Sequence, residues 1–137
     1  MKKFLNTVLL FLILFVVTGC GERKIECSEI SDDKQEKLIA TIKGNRIIKV
    51  DIEEIYEYED TDELESEYST YKSTLYLYRL IKGIDTNVTK YNNTLKTTVS
   101  LDLRKVNNTI IGDFLDLVDF TPDSLIKYAK SEGLTCN

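Results

Sequence analysis

The apolar positions of this chain change period four times along its length. From Phe4 to Gly19 there is no charge at all, and the centre of that stretch, VLLFLILFVV (Val8–Val17), is continuously apolar. Its 16 residues fall short of the roughly 20 that a helix needs to cross a hydrocarbon core of about 30 Å. With Lys2 and Lys3 ahead of it, the segment reads as an export signal rather than a span. From Lys37 the period becomes two: KLIATIKGNRIIKVDIEEIYEYE alternates on either side of Gly44-Asn45, which predicts a β-hairpin with Ile48, Val50, Ile52, Tyr56 and Tyr58 on one face of its second strand. Asp60-Thr61-Asp62-Glu63 then has the spacing of a helix capping box. Leu64, Tyr68, Tyr71, Leu75, Tyr78 and Ile81 follow at steps of three and four up to Gly83, the stripe of an amphipathic helix. Alternation returns in IDTNVTKYNNTLKTTVSLDL, with a turn signal at Asn92-Asn93 and an apolar face at Leu95, Thr97, Val99, Leu101 and Leu103. Residues 104–120 carry no clear period. Thr121, Pro122 and Gly133 bracket a closing helix. The order ββαββα predicts an α+β fold, an antiparallel sheet with helices packed on one face.

The apolar run ends in Val17-Thr18-Gly19-Cys20. A branched apolar residue, two small ones and a cysteine resemble the lipobox of bacterial lipoproteins. That resemblance implies removal of residues 1–19 as a signal peptide, a diacylglyceryl thioether on Cys20, and a location on the extracytoplasmic face of the cell membrane. One acyl chain holds a protein only marginally, at about 0.8 kcal/mol per buried CH₂, whereas two make a lasting anchor. The alternative is an uncleaved signal anchor in which Cys20 is incidental. In either case the domain is held outside the cytoplasm, and residues 20–27 are expected to form the lipidated cysteine and a short tether to a single domain at 28–137.

Removing 19 of the 137 residues leaves 118, enough for one domain with one core. Lys2 and Lys3 leave with the signal, so 16 basic residues face 23 acidic ones and the formal charge is −7. Nucleic acid is excluded as a partner, because phosphate binding requires a basic footprint. An anionic bilayer surface would also repel the domain rather than draw it down, so that the lipid and not the surface charge is expected to do the holding. The remaining cysteines, Cys27 and Cys136, lie near the two ends of the exported chain, where an oxidising compartment allows them to pair as a disulfide closing nearly the whole domain. The alternative is two free thiols; a metal site would need more ligands than two distant sulfurs, and the chain has no histidine.

Candidate chemistry is sparse. Ten carboxylates and no basic residue lie between Asp51 and Glu67. Such a run can bind Ca²⁺ weakly, but it lacks the glycine and ligand order of an EF-hand loop. A solvated strand face followed by acids at a helix N-terminus accounts for it more simply. With no histidine, no Gly-rich phosphate loop and no nucleophile elbow around any serine, the chain is read as a non-enzyme with no catalytic, cofactor-binding or metal residue. The rival is a small envelope hydrolase using a carboxylate pair. The tyrosines of 56–78 suit core packing, and alternatively a sugar or peptide site. The ligand-capturing subunit of a transporter needs two lobes and more chain than this.

The element order, the lipobox, the cysteine just inside the exported N-terminus and the GLTC ending (Gly133–Cys136) together resemble the YehR-like small lipoproteins. The resemblance implies a compact α+β lipoprotein domain and brings no catalytic residue with it. The expected function is that of a lipid-anchored module binding or scaffolding at the envelope, its partners being the membrane through Cys20 and an envelope protein or cell-wall ligand. Cys20→Ala should release the protein from the membrane or leave it as a precursor. Metabolic labelling with palmitate reads this directly, and label persisting in the variant would defeat the lipobox assignment.

Overall fold

The computed structural model describes residues 21–137. The signal segment and Cys20 lie outside the described residues. Strands β1 (Glu22–Ile30), β2 (Lys34–Lys43) and β3 (Arg46–Glu57) are followed by helix α1 (Thr61–Arg79), strands β4 (Ile84–Tyr91) and β5 (Thr94–Asp102), the short helix α2 (Asn108–Ile111), helix α3 (Pro122–Ser131) and the two-residue strand β6 (Thr135–Cys136). The sheet is antiparallel throughout and ordered β4-β5-β3-β2-β1-β6. The α+β expectation is met, with α1 and α3 on the same face of the sheet.

Strand alternation determines which face that is. Register aligns Ile25, Ala40, Val50, Leu101 and Ile84 across five strands, and one row further along aligns Cys27, Leu38, Ile52, Val99 and Thr86. Most of these side chains are buried in one core with Leu75 of α1 and Leu125 and Ala129 of α3. Burying each large aliphatic side chain contributes about 1.5–3 kcal/mol, so these rows dominate the stability of the fold. The residues between them, including Lys37, Asp51, Glu53 and Lys96, point to the uncovered face.

Turn chemistry follows the sequence closely. Gly44 adopts φ +63° at the first position of the two-residue loop joining β2 to β3, where a positive φ is costly for most residues with a Cβ. Asn92 takes φ +53° in the corresponding loop between β4 and β5. Asp60 caps α1 by accepting from the Asp62 and Glu63 amides at 2.7 and 3.4 Å. Thr121 Oγ1 accepts from the Ser124 amide, and Pro122 begins α3. Thr86 Oγ1 donates to the Leu75 carbonyl at 2.8 Å inside the core, fixing α1 over β4.

Two expectations need correction. Residues 22–26, expected to belong to the tether, form the first half of β1 and pair with β2 from Glu22↔Lys43 onward, so among the described residues only Gly21 precedes the sheet. The strand was obscure because only Ile25 and Cys27 face inward among charged neighbours, and Ile30 at its end is 78% exposed. Its pairing with β2 on one side and β6 on the other is what makes it a strand. In β3, Thr41 pairs with Lys49 but Ile42 pairs with Ile47. The extra residue, Ile48, forms a bulge, and Ile47 takes the core position that alternation assigns to Ile48. The aperiodic segment 104–120 wraps the end of the sheet, its Phe120 carbonyl accepting from the Ile47 amide at 2.8 Å.

Cys27 and Cys136 are register partners in β1 and β6, and the Asn137 amide donates to the Glu26 carbonyl at 3.0 Å. That bond makes them a non-hydrogen-bonded pair, the class in which facing side chains approach most closely. Their sulfurs are 2.04 Å apart across a separation of 109 residues. Chain-entropy arguments assign about 4–5 kcal/mol to closing a loop of this size, comparable to one large core side chain. Cys136→Ser should lower unfolding stability by several kcal/mol in urea titrations. Mass mapping under non-reducing conditions should recover a Cys27–Cys136 peptide pair, and two alkylatable thiols would remove the bridge. A second test concerns Asp102, whose carboxylate receives Arg104 Nε at 2.8 Å, Lys105 Nζ at 3.1 Å and the Arg104 amide at 3.2 Å. The Arg104 hydrogen bonds, supported by Lys105 and opposed by partial burial, hold its pKa well below the ordinary 3.8. A lowered pKa contributes stability that is complete above the unfolded value and disappears as pH falls through the folded one. Asp102→Asn should therefore cost about 1 kcal/mol at pH 6, a figure discounted because Arg104 is solvent-screened. The difference from the parent protein should shrink progressively below pH 3.8.

Candidate functional site

The helices do not close completely over the core face. Between α1 and α3, toward the end of the sheet where β1 finishes and β2 begins, lies a cleft of about 280 Å³. Its floor follows from register. Glu36 of β2 and Glu54 of β3 are direct partners, with Thr97 of β5 beside Glu54. Like charges directly opposite across strands are destabilising, and Lys34, two residues before Glu36 and so on the same face, resolves the conflict. Its ammonium lies 2.8 Å from Glu36 and 3.4 Å from Glu54, while Thr97 Oγ1 donates to Glu54 at 3.4 Å. Lys34 also stands 5.5 Å from the ring centre of Tyr56, its partner in register.

Tyr71, Phe114 and Tyr128 are the aromatic residues of the walls, and Tyr56 and Tyr78 pack behind the first two. Tyr56 stacks with Tyr71 of α1 at 6.0 Å, and Phe114 meets Tyr78 edge-on at 4.7 Å. Tyr78 donates to Asp113 at 3.1 Å, and Tyr128 of α3 faces the opposite side with Glu132. Burial alone would lower the Lys34 pKa, but the Glu36 hydrogen bond and the charges of Glu54 and Glu36 outweigh it and raise the pKa above 10.5. Burial, followed by the Glu54 charge and the Tyr71 hydroxyl, pushes the Tyr56 phenol far above its ordinary 10. Burial and the charges of Glu132 and Glu36 act the same way on Tyr128. At neutral pH the cleft therefore presents protonated phenols, apolar ring faces and a lysine shared by two carboxylates. Such a surface can hold a ligand having one apolar face and a hydrogen-bonding rim.

The opposite face of the sheet is a different kind of surface. A shallow trough of about 330 Å³ runs over Ile39, Asp51, Thr98 and Ser100. It is crossed by the pairs Lys37–Glu26 at 2.9 Å, Lys49–Asp51 at 3.0 Å and Lys96–Glu53 at 2.9 Å, all substantially exposed. Ion pairs of that kind contribute about 0–1 kcal/mol each and describe a solvated face. The acidic run is divided by the same alternation. Asp51, Glu53 and Glu57 go to the open face and Glu54 to the cleft, while Asp62 and Glu63 sit at the α1 N-terminus. No group of three or more metal-ligating side chains converges among the described residues.

Of the residues singled out by sequence, Cys20 lies outside the described residues, and Cys27 and Cys136 are brought together in the sheet, one row from the cleft floor. Lys34, Glu36 and Tyr128 were missed. The signal for the first two was present: alternation continued back from Leu38 places Lys34 and Glu36 on the core face, but beginning the strand at Lys37 hides them. Tyr128 was visible only as a helix position. The tyrosines divide between roles, since Tyr71 and Tyr78 pack against the core and Tyr76 is 60% exposed.

No family model matches the chain, and no curated protein sequence matches it. Among solved structures, the NMR structure of the E. coli YehR protein is similar with a TM-score of 0.72 over 86% of this chain and 92% of that one, at 16% identity. An NMR structure of a protein from Streptococcus pneumoniae TIGR4 is similar with a TM-score of 0.56 over 85% of each chain, at 15% identity. Neither comparison carries a named activity. At these identities the likeness is one of fold: this chain shares the architecture of YehR.

Proposed function

We propose that this protein is a lipid-anchored, extracytoplasmic binding module whose ligand surface is the cleft between α1 and α3. The lipobox at Val17–Cys20 supports the anchor. The observation that carries the binding reading is the position of the cleft: β1 begins at Glu22, beside the expected lipid, and its nine residues run toward the end where Lys34 and Tyr56 lie. At about 3.3 Å per residue that places the cleft roughly 25–30 Å from the tethered end, facing away from the bilayer. The partner is an envelope protein or a cell-wall ligand. Because Glu36 and Glu54 share one ammonium, the arrangement favours recognition over acid–base chemistry, and the reading assigns no catalytic residue.

Crosslinking from intact membranes tests this. Tyr128→Ala and Lys34→Met should each reduce captured partner by about tenfold or more, the range of an aromatic or charged hot spot, while Thr98→Ala on the open face should leave capture unchanged. Amide exchange of the core strands confirms that each variant is folded. Equal capture by the folded cleft variants would move the binding surface elsewhere.

A further inference from the structure

Charge in this domain is segregated along the strand axis, and the two ends have opposite character. Glu22 pairs with Lys43, and Lys43 with Arg46 across the Gly44 turn, so the β2–β3 turn lies at the end from which the chain leads back to Cys20. The far end of β5 and the exit of α1 arrive there too: the Asp102 amide donates to the Gly83 carbonyl at 2.8 Å. A Cβ on Gly83 would meet the Lys105 side chain at 2.8 Å, so the two segments are in close contact. Lys24, Lys43, Arg46, Lys82, Arg104 and Lys105 are all exposed at this end. Glu22 and Asp102 offset two of them, and Asp116 and Asp119 lie beside Arg46. Two apolar side chains stand out into solvent at the same end, Leu80 at 69% and Val118 at 93% exposure. The opposite end gathers Asp32, Asp33, Glu57, Glu59, Asp60 and Asp62, drawn together where the Glu57 amide donates to the Asp33 carbonyl.

We infer that the end formed by the β2–β3 turn, the α1 exit and residues 103–106 is a seat for an anionic lipid bilayer, with the cations on the headgroups and Leu80 and Val118 at the interface. The inference rests on the reading that Cys20 carries the lipid. From Cys20 to Glu22 the chain can reach at most about 7 Å, which keeps this end within the Debye length of about 8 Å at physiological salt. The acidic end, a strand length away, lies several Debye lengths out and is screened. The net charge of −7 therefore does not decide the interaction; the charge nearest the membrane does. The seat also holds the domain upright, keeping the cleft turned outward.

The test uses the lipidated mature protein on vesicles of phosphatidylcholine alone and of phosphatidylcholine mixed with phosphatidylglycerol. Amide exchange in Lys43–Arg46 and in 103–106 should slow on the anionic vesicles by about fivefold for each cation that reaches the headgroups, while residues 57–63 should be unaffected. High salt should abolish the difference, as should the combined substitutions Lys43→Glu, Arg46→Glu and Lys105→Glu, with core-strand exchange reporting that the variant is folded. Protein that floats with both vesicles but exchanges equally on both overturns the seat and leaves the anchor standing. Protein that floats with neither overturns the anchor, and the seat with it.

Discussion

The structure depends on covering one face of one sheet. Five strands bring Ile25, Ala40, Val50, Leu101 and Ile84 into a single row and a second apolar row beside it, and no strand can shift by one residue without turning its core side chains to solvent. The two long helices are placed by that requirement. α1 spans the β4–β5 side with Leu64 and Leu75, and α3 spans the β1–β6 side with Leu125 and Ala129. The bulge at Ile48 is a local consequence: it lets Ile47 fill the end of the core while the rest of β3 keeps its phase.

The cleft arises where that coverage runs out. Past the second apolar row, register brings Glu36 opposite Glu54, and no helix side chain could bury that pair without a counter-charge. Lys34 supplies one from the same strand, and tyrosines, which tolerate one wet edge, replace aliphatic residues in the walls. The polar floor and the aromatic walls are thus one solution to a single packing problem, and they leave a concave surface at the end of the domain remote from Gly21.

The covalent tie between β1 and β6 belongs to the same edge. A two-residue strand makes too few ladder bonds to persist alone, and Cys136 holds it on Cys27 beneath α3. With that edge secured, the last residues of the chain lie against β1, the strand with which the described sheet begins.

Local periodicity determined much of this protein. Both hairpins, the capped helix with its Leu64–Ile81 stripe, the Thr121-Pro122 helix start and the one-sided α+β sheet are legible in the sequence, because each depends on residues within a few positions of one another. The lipobox reading is equally local and falls outside the described residues. Tertiary structure decided whatever depends on residues far apart in the chain. β1 is a strand because β2 and β6 flank it, although its own pattern is weak. Ile47 displaces Ile48 because a bulge resets the phase. Lys34, Glu36 and Tyr128 line one cleft because β2, β3 and α3 converge there. The formal charge of −5 is a property of the sequence, but its separation into a basic end and an acidic end appears only when the β2–β3 turn, Gly83 and Lys105 meet, since electrostatic effects in salt water act over distances shorter than the domain itself.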